Sequence, residues 1–239
     1  LNLTTKPENI LYTKSKKEKN LKIICINDPL NKFFIKSINF KKNYYEVVFS
    51  INNQIITLNT KIAILFRLIN LLFCYAFFYE NSLNINTIKK TYKYLKPVNG
   101  RGLIHVININ NKRIKFIDES YNANPDTMVQ SIDYFNSIKK IYNKKILILG
   151  NMNELGKNAE KMHLNLLRYI DKFSFKFIIL CGEFFERSIK KLTNPNNEFI
   201  QFNNKNRIMT YLNKNVHNDD MILVKCSNST EINKLAENL

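Results

Sequence analysis

Glycine is scarce in this 239-residue sequence: there are five, and all of them lie between Gly100 and Gly182. Loops that bind phosphate need glycine, because other side chains block the required backbone angles and the close approach of the phosphate. The absence of glycine from the first 99 residues therefore excludes a glycine-rich phosphate loop from that region. Hydrophobic residues at 45% and charged residues at 23% are ordinary for a folded chain and exclude wholesale disorder.

Cysteine and histidine are also few and widely spaced, and no CxxC pair occurs. This spacing argues against metal and redox motifs. A reducing cytosol is the simplest setting for such a chain, so a cytoplasmic location is expected. The residues concerned are Cys25, Cys74, Cys181 and Cys226, together with His105, His163 and His217.

Acidic residues are outnumbered, with 19 Asp and Glu against 37 Lys and Arg, which gives a net charge of +18. The excess is almost entirely lysine, with 31 Lys and 6 Arg. Lys, Asn and Ile are all abundant and share A/T-rich codons, so nucleotide bias in the gene explains much of the basicity. A dedicated nucleic-acid site would favour arginine with interleaved aromatics, and no specific nucleic-acid partner is predicted.

The most apolar run extends from Ile62 to Tyr79, and it is marginal in length for a membrane span. Arg67 and Asn70 fall near its middle, where polar groups are costly in lipid. A buried helix is therefore favoured, and no membrane span is predicted. The polar residues at the start of the sequence do not resemble a signal peptide.

The chain divides near residue 99, after the break at Pro97 to Gly100. Residues 1–98 predict a partial α/β domain, with a hairpin at Asn52-Asn53 followed by two helices. In residues 99–239, strand-like runs alternate with helix-like stretches, which is typical of a Rossmann-like, doubly wound, mostly parallel sheet. The predicted strands there are RIKFID, KKILILG, FKFIILCG, EFIQF and MILVK, and the predicted helices are 125–140, 157–172, 183–192, 205–214 and 229–238.

Polar side chains follow three of these predicted strands. In Phe116–Met128 a strand ends at Asp118, and Asn124 and Pro125 then begin a helix. A strand-end acid can hold a ribose hydroxyl, and the amino end of a helix favours phosphate. A plain asparagine-rich turn before a capped helix explains the same residues equally well.

The other two polar strand ends lie in Leu147–His163, which contains Glu154, and in Ile222–Ile232, where a strand ends at Lys225. Lysine and small hydroxyl residues before a helix can form an anion site, although simple helix capping by Ser229 or Thr230 is the alternative. Because the carboxyl ends of parallel strands meet at one edge of a sheet, we expect all three segments to cluster there.

These segments resemble the motifs of the Mur ligases, a family of ATP-dependent amide ligases. The typical motifs are a GR pair, DDSYNANPDSM, LGDMxELG with a following His, and VKGSRS. This sequence has Gly100-Arg101, DESYNANPDTM at Asp118–Met128, LGNMNELG at Leu149–Gly156 with His163, and VKCSNS at Val224–Ser229. Within the family, the SYNANP run is typical of members that join D-alanyl-D-alanine to UDP-N-acetylmuramoyl-tripeptide.

The resemblance implies that ATP phosphorylates the tripeptide carboxylate and that the dipeptide amine attacks the acyl phosphate. ATP and Mg²⁺ are the implied cofactors, and UDP-N-acetylmuramoyl-tripeptide and D-alanyl-D-alanine are the implied substrates. It assigns Arg101, Asp118, Glu119, Tyr121, Asn122 and Asn124 to nucleotide binding, Glu154, Lys225 and Ser227 to substrate binding, and His163 to catalysis.

Residues 1–98 resemble the end of the family's central ATPase domain more weakly. There Lys14 corresponds to the lysine that is carbamylated and helps to hold magnesium, and Asn70 corresponds to an adenine contact. The family's GTNGKT phosphate loop would precede this segment, so the chain alone is expected to be inactive. Departures from the motifs include Asn151 for Asp and Cys226 for Gly.

Three functions are compatible with this pattern. The chain can be part of a ligase that works with a separately encoded amino-terminal half, or a decayed, inactive remnant of one. It can also be a basic module that binds nucleotides or nucleic acid.

Overall fold

The structure is a computed structural model of the chain. It describes residues 24–26, 31–42, 44–61, 63–95, 97–138, 144–230, 232 and 235. The chain forms two compact units, Leu1–Leu95 and Lys96–Leu239. This division lies a few residues before the boundary expected near residue 99. In the ranges given above, no helix is long and apolar enough to cross a membrane.

The first unit is a four-stranded sheet covered by a helix. Strand β1 pairs parallel with β2, and β2, β3 and β4 pair antiparallel in sequence order. The hairpin predicted between β3 and β4 is confirmed, with φ of 45° at Asn52 and 68° at Asn53, as two-residue hairpin turns require. The elements are β1 (Ile24–Ile26), β2 (Phe33–Phe40), β3 (Tyr45–Ile51), β4 (Gln54–Thr60), α1 (Leu65–Glu80) and α2 (Asn86–Tyr92).

The second unit is a six-stranded sheet in the order β5-β6-β10-β7-β8-β9. Only β5 runs antiparallel to its neighbour, so the prediction of a mostly parallel α/β sheet is confirmed. The strands are β5 (Leu103–Ile109), β6 (Lys112–Glu119), β7 (Lys145–Gly150), β8 (Phe177–Cys181), β9 (Phe199–Phe202) and β10 (Met221–Lys225). The helices are α3 (Pro125–Ser137), α4 (Ala159–Ile170), α5 (Glu183–Ile189) and α6 (Lys205–Asn215).

Both faces of this sheet are covered, which explains why its strands are continuous apolar runs. The path β6, β7, β8, β9 moves in one direction across the sheet, so right-handed crossovers place α3, α4 and α5 on one face. The return from β9 to β10 places α6 on the other face. Accordingly, Ile146 and Ile148 of β7 pack in one cluster with Ile208 and Leu212 of α6.

Two strands were not predicted from the sequence. Strand β2 contains Lys36 and Asn39 among its apolar residues, and β5 is an edge strand with alternating burial. The helix predicted at 229–238 lies largely outside the described residues, and Lys14 lies wholly outside them.

Candidate functional site

The three motif segments meet at the carboxyl edge of the second unit's sheet. Strand β10 lies between β6 and β7, with Lys225 opposite Glu119 on one side and Leu149 on the other. The loops that leave these three strands therefore start side by side, as expected from the parallel topology.

Ser227 joins all three segments directly. Its hydroxyl accepts a hydrogen bond from the Asn153 amide at 2.9 Å and lies 3.5 Å from the Ala123 carbonyl, to which it donates. Its own amide donates to the Asn151 carbonyl at 3.1 Å. Ser227 is buried, and its bonds link the loop after β10 to two loops that lie more than 70 residues earlier in the sequence.

Lys225 lies beneath the β6–α3 loop rather than at its surface. Its ammonium nitrogen Nζ is 3.6 Å from the Glu119 carboxylate and donates to the Asn122 carbonyl at 3.2 Å. Lys225 is 2% exposed and Glu119 is 3% exposed. The two side chains expected to bind substrate and nucleotide thus form a buried ion pair that supports the loop above it.

Asp118 holds the turn at Gly100. Its carboxylate accepts hydrogen bonds from the Gly100 amide at 3.0 Å and from the Ser120 amide and hydroxyl at 3.0 and 2.6 Å. The turn requires glycine, because φ is +72° and a Cβ at this position would lie 2.9 Å from the Tyr121 nitrogen. Asp118, which was expected to hold ribose, therefore has both oxygens engaged by the protein.

Arg101 follows this turn and stacks on Tyr121. The guanidinium carbon lies 3.9 Å from the centre of the ring, which is a close cation–π contact. Both side chains are exposed, and Tyr121 retains 47% of its accessible surface. Stacking fixes the plane of the guanidinium, and a planar guanidinium on an exposed side chain is suited to phosphate or carboxylate.

Helix α3 begins at the same edge with a complete capping box. The Asn124 side chain accepts from the Thr127 amide at 2.9 Å, and the Thr127 hydroxyl accepts from the Asn124 amide at 3.2 Å. The predicted cap and the predicted Pro125 at the first helical position are confirmed. Asn122 is exposed just before it, and its amide oxygen accepts from the Ala123 amide. The positive end of the helix dipole therefore lies beside the loop.

His163 of α4 is fully buried and supports the β7–α4 loop. Its Nε2 accepts from the Met152 amide at 2.9 Å, so the ring proton is on Nδ1, which donates to the Ala159 carbonyl at 2.6 Å. The ring of Phe185 packs edge-on at 4.7 Å, and burial lowers the pKa of His163. This geometry favours a positioning role over the catalytic role expected from the sequence.

The same loop carries Glu154, which is exposed and has a φ of +63°. That conformation is uncommon for residues other than glycine and marks a locally strained backbone. Asn151, which the sequence analysis noted only as a departure, lies against Gly182, where an added Cβ would be 2.4 Å from its Cγ. Among the described residues the buried oxygen Oδ1 of Asn151 has no hydrogen-bond partner.

Sequence reasoning also missed Ser120 and Asn153, although both lie within the quoted motifs. The Asn153 side chain binds a neighbouring loop by donating to the Ser229 hydroxyl at 2.7 Å, whereas the Ser120 hydroxyl binds Asp118 in its own segment. Asn70 is exposed on α1 of the first unit, and Lys14 lies outside the described residues. In the portion of the chain that the structure describes, no group of three or more His, Cys, Asp or Glu residues could hold a metal ion.

Comparison with known proteins identifies the architecture. The family described as Mur ligase, glutamate ligase domain, matches residues 88–228, more than half of the chain. The chain belongs to the Mur ligase family. The matched range includes the motif segments that meet at the edge described above, apart from Ser229 at the end of the last one.

Among curated Mur ligases, a UDP-N-acetylmuramoyl-tripeptide–D-alanyl-D-alanine ligase from Rickettsia prowazekii is 29% identical over 148 residues. That alignment covers 61% of this chain and 31% of the relative. An enzyme of the same name from Buchnera aphidicola is 32% identical over 126 residues, or 52% of this chain and 26% of the relative. This chain therefore spans about a third of the length of these relatives.

Solved structures extend the likeness in fold to the first unit. A MurF ligase from Thermotoga maritima in complex with ADP superposes with a TM-score of 0.68 at 17% identity, covering 86% of this chain and 45% of that one. MurF from Acinetobacter baumannii gives a TM-score of 0.72 at 17% identity, covering 89% and 46%. The aligned 86–89% of this chain is larger than the second unit alone, so the aligned part includes elements of the first unit.

Proposed function

We propose that this chain is the carboxyl-terminal part of the ligase that adds D-alanyl-D-alanine to UDP-N-acetylmuramoyl-tripeptide, with ATP as the energy source. The observation that carries the proposal is the junction at Ser227, which holds the SYNANP, NMNELG and VKCSNS segments together. Three segments far apart in sequence are held by direct hydrogen bonds at the edge where ligands of doubly wound sheets bind. The names of the curated relatives point to the same reaction.

The exposed groups at this edge suit anionic and amine-bearing ligands. We assign phosphate contact to the stacked Arg101, and the amino end of α3 adds a positive dipole next to it. Because Glu154 is exposed on the β7–α4 loop, we assign contact with the amine of the dipeptide to its carboxylate. In this assignment Asp118 and Lys225 position the loops, and they do not contact ligand.

ATP and magnesium fit this donor set only in part. Bound nucleotide would supply the phosphoryl group that activates the tripeptide carboxylate, and Arg101 would bind and orient its phosphates. The expected magnesium ligand, Lys14, and the phosphate loop belong to the central ATPase domain. We therefore infer that turnover requires an amino-terminal portion of the ligase in addition to these 239 residues.

The test is a ligase assay that follows phosphate release in the presence of ATP, Mg²⁺, UDP-N-acetylmuramoyl-tripeptide and D-alanyl-D-alanine. The chain is assayed alone and together with the amino-terminal portion of its own ligase, joined or mixed. Turnover that needs both portions and both substrates is expected. A soluble, associated pair that forms no product would favour a decayed remnant. Magnesium-dependent ATP hydrolysis by the chain alone would refute the inference that turnover requires the amino-terminal portion.

Arg101→Ala is the diagnostic variant for the site. Loss of a charge-assisted phosphate contact costs about 1.5–3 kcal/mol, so the apparent KM for ATP should rise roughly tenfold to a hundredfold. Arg168→Ala is the matched control, because Arg168 is an exposed arginine of α4 outside the motif segments. An unchanged KM for ATP in Arg101→Ala would show that Arg101 does not bind the nucleotide.

A further inference from the structure

Helix α1 is apolar on two opposite faces. Its sequence, LFRLINLLFCYAFFYE, contains only Arg67, Asn70 and Glu80 as polar or charged side chains apart from its tyrosines. A helix that is apolar all round is normally buried on every side. The buried face comprises Leu68, Leu71, Leu72, Tyr75 and Ala76.

The sheet of the first unit covers this buried face. Helix α1 packs on β2 and β3, and the ring of Tyr75 lies 5.3 Å from that of Phe49. Tyr79 makes an edge contact with Phe33, with 5.8 Å between the ring centres. These contacts account for one side of the helix only.

The opposite face is exposed and aromatic. Phe73 retains 42% and Phe77 retains 61% of its accessible surface, and Cys74 between them is also exposed. Asn70 lies on the same side, one turn earlier. We call Asn70, Phe73, Cys74 and Phe77 the outer α1 face. Exposed aromatic side chains at helical spacing are typical of protein interfaces, where they form the central contacts.

The solved relatives are longer than the part that this chain matches. Solved relatives align with 86–89% of this chain, yet 54–55% of each relative has no counterpart here. We propose that the outer α1 face is the docking surface for the amino-terminal portion of the ligase. The partner chemistry is an apolar protein surface, since the helix has one arginine and one glutamate and so carries no net charge. This inference rests on the proposed function.

Cys74 supplies a direct probe of docking, because its thiol lies within the outer α1 face. Cys181 and Cys226 are buried, and replacing Cys25 by Ser leaves Cys74 as the accessible thiol. In the Cys25→Ser chain alone, a maleimide should modify Cys74 rapidly and at the same rate across protein concentrations. Addition of the amino-terminal portion should slow modification at least tenfold. Lys161→Cys in the second unit, on a Cys25→Ser, Cys74→Ser background, is the control for general protection.

Two substitutions test the aromatic contacts. Phe73→Ser and Phe77→Ser should each weaken association at least tenfold while leaving the circular dichroism of the chain unchanged. Ile55→Ser is the matched control, because Ile55 is an apolar residue of β4 that is 55% exposed outside this face. It should leave association unchanged.

Several results would overturn the proposal. Association that leaves Cys74 fully reactive would place docking elsewhere, and absence of association would exclude the amino-terminal portion as the partner. Protection that rises with the concentration of the chain alone would identify a second copy as the occupant, and protection at every concentration would identify cover by the chain itself. Thiol protection does not need catalysis, so a docked but inactive pair would refute the proposed reaction and leave this surface standing.

Discussion

Replacement of His163 separates a positioning role from a catalytic one. The imidazole has no exposed surface and accepts the Met152 amide, so it fixes the start of the loop that carries Asn153 and Glu154. Leucine at this position would fill most of the volume but leave the Met152 amide without an acceptor. Glutamine would place an amide oxygen close to the position of Nε2.

The expected magnitude follows from the buried donor. An unsatisfied buried N–H costs about 1–3 kcal/mol, and total stability of a domain is about 5–15 kcal/mol. His163→Leu should therefore lower the free energy of unfolding by about 1–3 kcal/mol more than His163→Gln. Urea unfolding followed by circular dichroism measures this difference, and hydrogen exchange on residues 147–158 locates it. Equal stability of the two variants would refute the role assigned to the Met152 bond.

The pH dependence of folding stability provides a second test of the role of His163. Because burial lowers the pKa of His163, the unfolded chain binds the proton first as the pH falls. The stability supplied by the neutral ring is therefore complete above about pH 6.5 and is lost below it, with a slope of at most about 1.4 kcal/mol per pH unit. His163→Gln should lack this slope. Parallel stability curves for the two proteins between pH 7 and 5 would contradict the argument.

Two further substitutions test the supports beneath the site. Gly100→Ala should destabilise the second unit by about 1–3 kcal/mol in thermal unfolding, because Gly100 has a positive φ and the added Cβ would clash with Tyr121. Gly156→Ala is the control: it also has a positive φ, but its Cβ meets no atom within 4 Å, so it should cost only about 1 kcal/mol. Equal losses in the two variants would contradict the role of the close approach to Tyr121. Lys225→Met should cost about 3–5 kcal/mol in urea unfolding by leaving the Glu119 carboxylate buried without its ammonium. The double variant with Glu119→Leu should recover at least half of that loss, and simple additivity would show that the pair is not coupled.

The core strands of the second unit were predictable because each is buried on both faces. KILILG and FIILC are continuous apolar runs that end at glycine or cysteine, and this pattern indicates a parallel strand directly. Strand β5 was missed because an edge strand alternates between partial burial and exposure and gives only a weak signal. Its exposed side chains include Ile104 and Val106.

The structure brings the candidate site residues of the second unit together at one sheet edge, and the roles assigned to them stay predictions. Motif spacing placed Asp118, Lys225 and Ser227 together because strand ends of one parallel sheet converge. It could not show that Lys225 lies beneath the loop, since that depends on the pairing of β10 between β6 and β7. A polar residue in a motif can bind a ligand or a neighbouring loop, and the pairing of the strands is needed to distinguish these two roles. The assignment of ligands to the exposed residues stays a prediction.

The position of β10 has a consequence for how the second unit folds during translation. Among the strands that the structure describes in this sheet it is made last, yet it lies in the middle, between strands that begin about 110 and 75 residues earlier. Until it inserts, β5 and β6 form one hairpin, and β7, β8 and β9 form a separate block with an open edge. Both the core and the carboxyl edge of this sheet are thus complete only after β10 has been made. An interruption of translation before Met221 leaves two unjoined pieces with exposed strand edges, the form most prone to aggregation and to removal by proteases.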